Sequence, residues 1–276
     1  MQEMVMMDDL EITEEWPSKD EEVEYAEYNG VAFTGTAYDK TEYRYSEEKF
    51  LNGYAHGRRF TVYTDGQLCN ESLMEHGFVI TSTSWYKSGA KKSYYRREPK
   101  LDQFWSENGI LLEEDDGTTY KNYYESGKLK NVLVRKSEKI YYAESGEWAV
   151  KLKTEYDYAV TDRKFMTFNE DFISKNYMGL LREYDFYKYF LVWLQEKSDD
   201  DRDDIIIDLI KSDVPWHKCD GINLAVRHKI RKAVPYIRLE LNNEVTPPDI
   251  RGIRGNSNVG YTRTIGESAK IALERI

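Results

Sequence analysis

Cysteine is nearly absent from this chain: Cys69 and Cys219 are the only two in 276 residues. They lie far apart in sequence, which argues against the disulfide frameworks that brace small secreted domains. Long apolar runs are missing too, so no membrane-crossing helix is expected. The opening Met1-Gln2-Glu3-Met4 lacks the basic and apolar regions of a secretory signal, and a cytoplasmic location is the expectation. Catalytic patterns are equally scarce. There is no phosphate-binding Gly loop, dinucleotide fingerprint, paired-Cys zinc spacing or His-Glu-x-x-His. The chain therefore reads as a non-enzyme, with no cofactor, no catalytic residue and no metal site called.

What the sequence does contain is a turn that keeps returning. Its copies are Tyr63-Thr64-Asp65-Gly66, Tyr86-Lys87-Ser88-Gly89, Trp105-Ser106-Glu107-Asn108-Gly109, Tyr124-Glu125-Ser126-Gly127 and Tyr142-Ala143-Glu144-Ser145-Gly146, with an earlier Tyr28-Asn29-Gly30. From Gly66 onward the glycines step by 23, 20, 18 and 19 residues. A period near 20 with a fixed turn points to a stacked array. Asn-Gly and Asp-Gly favour two-residue type I′ turns, which need positive φ at both central residues. Strand formers such as Tyr123-Tyr124 and Val132-Leu133-Val134 flank the turns, so each unit reads as strand, turn, strand. One hairpin alone is marginal in water, so each must lie against the next, giving one twisted antiparallel sheet over about 25–165. Tyrosine fits a thin, wet sheet, and 17 of the 23 tyrosines precede residue 166. These tyrosines either hold neighbouring hairpins together or form an exposed binding strip.

The stretch Asn52-Gly53-Tyr54-Ala55-His56-Gly57-Arg58, running to Tyr63-Thr64-Asp65-Gly66-Gln67-Leu68, resembles the MORN repeat. Tyr123-Tyr124-Glu125-Ser126-Gly127-Lys128-Leu129-Lys130 and Tyr28-Asn29-Gly30-Val31-Ala32-Phe33-Thr34-Gly35 are similar to its bacterial variant. The resemblance covers about residues 25–150, and the copies between 70 and 150 lack the repeat's second glycine. It implies an open array of hairpins, and it is associated with antitoxins of toxin–antitoxin modules and with immunity proteins against secreted toxins.

Beyond about residue 168 the pattern turns helical. Ile173, Tyr177, Leu180, Leu181, Tyr184, Tyr187, Leu191 and Leu194 recur every three or four positions, with Gly179 placed to divide the helix. Ser198 to Asp204 reads as an acidic helix entry, because carboxylates suit the positive end of the helix dipole. Ile222, Val226, Ile230, Val234, Ile237 and Leu241 suggest a third helix that Pro235 must kink or split. Its other side carries a basic stripe of Arg227, His228, Arg231, Lys232 and Arg238. Pro247-Pro248 and Gly252 to Gly260 read as loop, and Thr264-Ile265-Gly266-Glu267 as a capping box. The fold class is thus α+β: an acidic leader over 1–24, a hairpin array over 25–165 and a helical domain over 166–276 that would cover the open sheet edge. Residues 8–24 hold few apolar anchors, so no regular structure is forced on them.

The net charge of −11 is uneven: residues 1–50 carry 15 Asp/Glu against 4 Lys/Arg, whereas 217–276 carry 6 against 11. The acidic end disfavours nucleic acid and anionic lipid and favours a basic protein partner. His56 falls in the repeat turn and reads as structural, and Trp216-His217-Lys218-Cys219-Asp220 as a loop entering the next helix. Taken with the resemblance, the expectation is a protein that occludes a cognate toxin, with Tyr86, Trp105, Tyr124 and Tyr142 as partner anchors. The competing expectation is a scaffold at a membrane or protein assembly, for which the 227–238 stripe supplies the only candidate basic face.

Overall fold

The computed structural model describes residues 3–18, 21–153, 166–181, 184–247 and 263–276. It is an α+β protein in which a long, open, mostly antiparallel sheet precedes a helical region with six α-helices among the described residues. Two compact units divide the chain, Met1–Thr167 and Phe168–Ile276.

In the first unit twelve strands form an uninterrupted meander. They are β5 (Gly35–Lys40), β6 (Arg44–Leu51), β7 (Tyr54–Tyr63), β8 (Leu68–Glu75), β9 (Phe78–Trp85) and β10 (Lys91–Arg96), followed by β11 (Leu101–Trp105), β12 (Leu111–Asp115), β13 (Thr119–Tyr123), β14 (Leu129–Val134), β15 (Glu138–Tyr142) and β16 (Trp148–Lys153). Each pairs antiparallel with the next. Ahead of them stand β1 (Glu3–Met6), β2 (Glu11–Ser18), β3 (Glu21–Tyr28) and β4 (Val31–Ala32), and β17 (Met166–Phe168) follows. β1 lies parallel to β5, with Val5 opposite Ala37.

The turns differ from the sequence reading in an instructive way. At Gly66, Gly89, Gly109, Gly127 and Gly146 only the glycine has positive φ, between 79° and 96°, while the preceding Asp, Asn or Ser does not. These are three-residue loops, not type I′ turns: Tyr63 N–H donates to Gln67 O and Gly66 N–H to Tyr63 O, and the other four repeat both bonds. The glycine supplies the left-handed residue of such a loop. True two-residue turns with both residues left-handed occur at Asn29-Gly30, Asn52-Gly53 and His76-Gly77. The third escapes detection in sequence because it lacks the Asn or Asp that usually precedes Gly in such a turn. Every three-residue loop is followed by the same register slip, with one extra residue in the outgoing strand: Cys69, Lys92, Leu112, Lys130 and Ala149.

Residues 8–24, for which composition demanded no structure, lie largely in strands. The reason is that Leu10 and Val23 find cover, although Ile12 stays 43% exposed. Val5, Leu10, Ala26, Phe33, Ala37, Phe50, Ala55 and Met74 form one core cluster, and Val23 is 4% exposed. Glycines permit the close approach: a Cβ at Gly53 would stand 2.2 Å from the Tyr25 ring, and one at Gly77 2.9 Å from Val23 Cβ. Burial returns at β14 to β16, where Leu133, Tyr141, Val150 and Leu152 are covered, but between these two regions the sheet is a single layer. No residue of β9 to β13 is fully buried.

The second unit begins with α1 (Glu170–Leu180) and α2 (Tyr184–Gln195), so the expected long helix is divided just after Gly179. Phe186, Tyr189, Phe190 and Trp193 are buried beside Ile173, Leu180, Leu181 and Leu194, whereas Tyr187 and Leu191 are only half-buried. The Ser198 side chain caps α3 (Asp199–Lys211), with Asp199, Asp200 and Asp201 in its first turn. The third expected helix is broken twice. α4 (Pro215–His228) ends at left-handed Lys229, a 3-10 turn follows at Arg231–Ala233, and Pro235 opens α5 (Val234–Leu239) where its missing N–H is harmless. Gly221 lets α4 meet α3, since a Cβ there would stand 2.8 Å from Ile210 N. α6 (Ile265–Leu273) carries the capping box of Thr264 and Glu267. Residues 248–262, including Pro248 and the Gly252 to Gly260 loop, lie outside the described residues.

Candidate interaction surface

Directly opposed residues of neighbouring strands share a face. Each three-residue loop is entered by such a pair: Val62 with Leu68, Trp85 with Lys91, Trp105 with Leu111, Tyr123 with Leu129 and Tyr142 with Trp148. Counting along the strands by twos sets all five first members on one face, together with Phe60, Tyr94 and Ile140. This aromatic face runs over ten consecutive strands. Three of its cations lie on rings: Arg58 is 4.4 Å from the Phe60 centroid, Lys91 4.5 Å from Trp105 and 4.7 Å from Tyr94, and Lys151 4.7 Å from Trp148, whereas Lys121 pairs with Glu114 at 2.7 Å.

The opposite face is polar over β8 to β10, carries Tyr95, Phe104 and Tyr120 farther on, and buries Leu133, Tyr141, Val150 and Leu152 over β14 to β16. Ser72 donates to Ser82 at 2.9 Å, the Asn70 amide reaches Ser82 at 3.3 Å, and the Ser84 and Ser93 hydroxyls share a 2.5 Å bond. Farther along, Asp115 faces Asp102 across the strands, a like-charge pair held by Lys100 at 3.0 Å and Arg135 at 2.7 Å from Asp115. Burial raises the Asp115 carboxyl pKa, but the Gly117 N–H and these cations outweigh it and bring the carboxyl below its ordinary range. Tyr120 donates to Glu113 at 2.9 Å, and burial together with that bond pushes the phenol up to about 12.

The four expected anchors divide between two jobs. Trp105 and Tyr142 lie on the aromatic face, both half-buried. Tyr86 and Tyr124 stand immediately before the three loop residues, and their hydroxyls are committed to neighbouring backbone. Tyr86 Oη donates to Trp105 O at 2.8 Å and Tyr124 Oη to Tyr142 O at 2.7 Å. Each thus ties one loop to the backbone of the next. Trp85, Tyr123 and Trp148, absent from the expected set, stand in the same row as Trp105 and Tyr142. Trp85 and Tyr123 share with Trp105 and Tyr142 a place four residues before the loop glycine, which was the available signal.

Elsewhere the expected chemistry is local. His56 sits within β7, its ring 5.3 Å from that of His76, not in a turn. The 216–220 cluster forms the opening turns of α4 instead of a loop. Cys219 is fully buried there, and burial followed by the Asp220 charge pushes its thiol up to about 11, the opposite of an activated nucleophile. His217 Nδ1 lies 3.0 Å from Ser212 Oγ, which also accepts Val214 N–H at the joint between α3 and α4. A cleft of about 480 Å³ borders this joint, with Tyr177 Oη donating to Asp208 at 3.1 Å in its wall. The basic stripe does not survive as one helix face: Arg227 and His228 end α4, Arg231 and Lys232 lie in the 3-10 turn, and Arg238 is in α5. Lys232 is paired with Asp200 and, at 3.9 Å, with Asp203. No helix among the described residues is long and apolar enough to cross a membrane.

No family model matches the chain, and no curated protein matches it. Among solved structures it is similar to a mutant of S. aureus TarM in complex with fondaparinux, α-GlcNAc-glycerol and UDP, at 12% identity over 45% of this chain and 19% of that one, TM-score 0.17. A second TarM structure is similar at 15% identity over 33% and 20% of the two chains, TM-score 0.14. Accessory secretory proteins 1, 2 and 3 of Streptococcus pneumoniae are similar at 11% identity over 66% and 30%, TM-score 0.14. The chain spans less than a third of the length of each, and likeness at this level carries no functional argument.

Proposed function

We propose that this protein is a binding protein of the antitoxin or immunity kind, which neutralises a bacterial toxin by covering it. The observation that carries this reading is the single-layer sheet of β9 to β13, whose two faces are both reachable and one of which displays aromatic rings along its length. A layer of this kind offers area without a reaction vessel. Large, rigid aromatic side chains are the residues that most often dominate binding energy at protein interfaces. The resemblance of the loop segments to bacterial MORN-type repeats supports the toxin-directed form of the reading. The acidic balance of −11 favours a basic partner and draws it in electrostatically.

Co-expression with the product of a neighbouring toxin-like gene tests the proposal. Growth should be restored by the intact chain, and the two proteins should purify together at fixed stoichiometry. Failure to bind and failure to protect cells would remove the reading.

A further inference from the structure

The tips of the repeated loops lie along one edge of the sheet, because alternate connections of an antiparallel meander return to the same side. Five of the six tips on that edge carry an exposed carboxylate: Glu42, Asp65, Glu107, Glu125 and Glu144, with Lys87 at the sixth. Among the described residues none of Glu42, Glu107, Glu125 and Glu144 has an ion-pair partner. The edge runs beside the row formed by Val62, Trp85, Trp105, Leu111, Tyr123 and Tyr142 and their opposed partners. On the other side of the sheet β8, β9 and β10 meet through serine and asparagine, whereas the row itself is apolar at every opposed pair but Trp85 with Lys91. A contiguous apolar row left at a protein surface and rimmed by charge marks a docking site.

We infer that this row and its acidic rim receive a basic amphipathic α-helix of the partner. The inference rests on the reading above and names the surface and the chemistry it selects. Strand spacing sets the scale: ten strands at about 4.8 Å give a row about 43 Å long, and tips two strands apart recur about every 10 Å. Seven residues of an α-helix rise about 10.5 Å, so a lysine or arginine once per heptad meets the successive carboxylates Glu107, Glu125 and Glu144 while the helix's apolar side covers the rings. Lys91 and Lys151 do not oppose such a ligand along the rim, because both are drawn onto ring faces.

The probe is a synthetic leucine–lysine amphipathic helix of about 28 residues, four heptads and enough to span the row. It is titrated calorimetrically into the full chain, with indole signals of Trp85, Trp105 and Trp148 followed by NMR. The lysine helix should bind and move those indoles, and its glutamate counterpart should not bind. The exposed-tip variant Glu107→Lys/Glu125→Lys/Glu144→Lys should weaken binding at least tenfold. Glu75→Lys/Glu98→Lys/Glu274→Lys, the same charge change placed elsewhere, should stay within twofold. Equal weakening by both variants, or indoles that do not move, overturns the inference, since attraction would then follow net charge alone. If the chain protects cells and holds a toxin that the tip variant binds equally well, the inference falls while the proposed function stands. A lysine helix held by the tips in a chain that protects no cell leaves the surface and removes the antitoxin reading.

Discussion

Single side chains show how far tyrosine's two ends can be put to separate use. In Tyr86 and Tyr124 the hydroxyl is bonded to a carbonyl in the next unit, so the polar end serves cohesion. Tyr124→Phe keeps the ring and deletes that bond; it should cost about 0.5 to 1.5 kcal/mol in urea denaturation, the range of one hydrogen bond. Glu48 makes the opposite point, about charge. It is 7% exposed, and burial raises its pKa despite Arg59 at 3.3 Å. The folded state therefore binds the Glu48 proton more readily than the unfolded chain does, and stability from this group declines as pH rises through the carboxylate range. Glu48→Gln should be more stable than the parent at pH 7. The gain should vanish below the unfolded carboxylate value of about 4.3, as read by thermal melts across pH.

At the scale of strands and loops, glycines of equal φ are not of equal consequence. Gly109 has φ 79° and open space around its Cβ position, whereas Gly53 has φ 85° with the Tyr25 ring 2.2 Å away. Gly109→Ala should cost only the backbone penalty of about 1 to 2 kcal/mol. Gly53→Ala should add a further 1 to 3 kcal/mol from overpacking, and paired denaturation curves compare the two. The repeating glycines made the strands legible in sequence, because a left-handed residue every 20 or so positions leaves few alternatives. The loop type was not legible, since Asp-Gly and Ser-Gly serve both two-residue and three-residue loops and the choice is made by the slip at Cys69, Lys92, Leu112, Lys130 and Ala149. Strands in residues 8–24 were hidden for another reason. A core assembled from Val5, Leu10, Val23 and Ala26 draws its partners from β5 to β8, and no local pattern announces so distant a set. In the helical unit, heptad-like spacing found Ile173, Leu180 and Leu194 but passed over Phe190 and Trp193, because the break after Leu181 rotates the buried side of α2.

For the molecule as a whole, the two units differ in how they are stabilised. The helical unit has a closed interior of Ile206, Leu209, Ile210, Ile222, Ala225 and Ile237, each no more than 1% exposed. Residues 168–276 expressed alone should give a helical far-UV spectrum with a cooperative melt; a featureless, gradual melt would show that this interior depends on the rest of the chain. The row of rings, by contrast, could be read from the sequence only in part. Spacing located Trp105 and Tyr142, but the side of the sheet on which each ring emerges depends on register, and register is fixed by the slips.

The identical slip in five consecutive units has a genetic corollary. Because each unit hands the next the same offset, whole units are interchangeable lengths of a ruler. Excision of residues 109–126, which joins Asn108 to Gly127 and removes β12 and β13, should leave a soluble chain two strands shorter with its rings still in line. Reach along a partner could then be lengthened or shortened by duplication and loss of coding segments, with no new contact having to be invented.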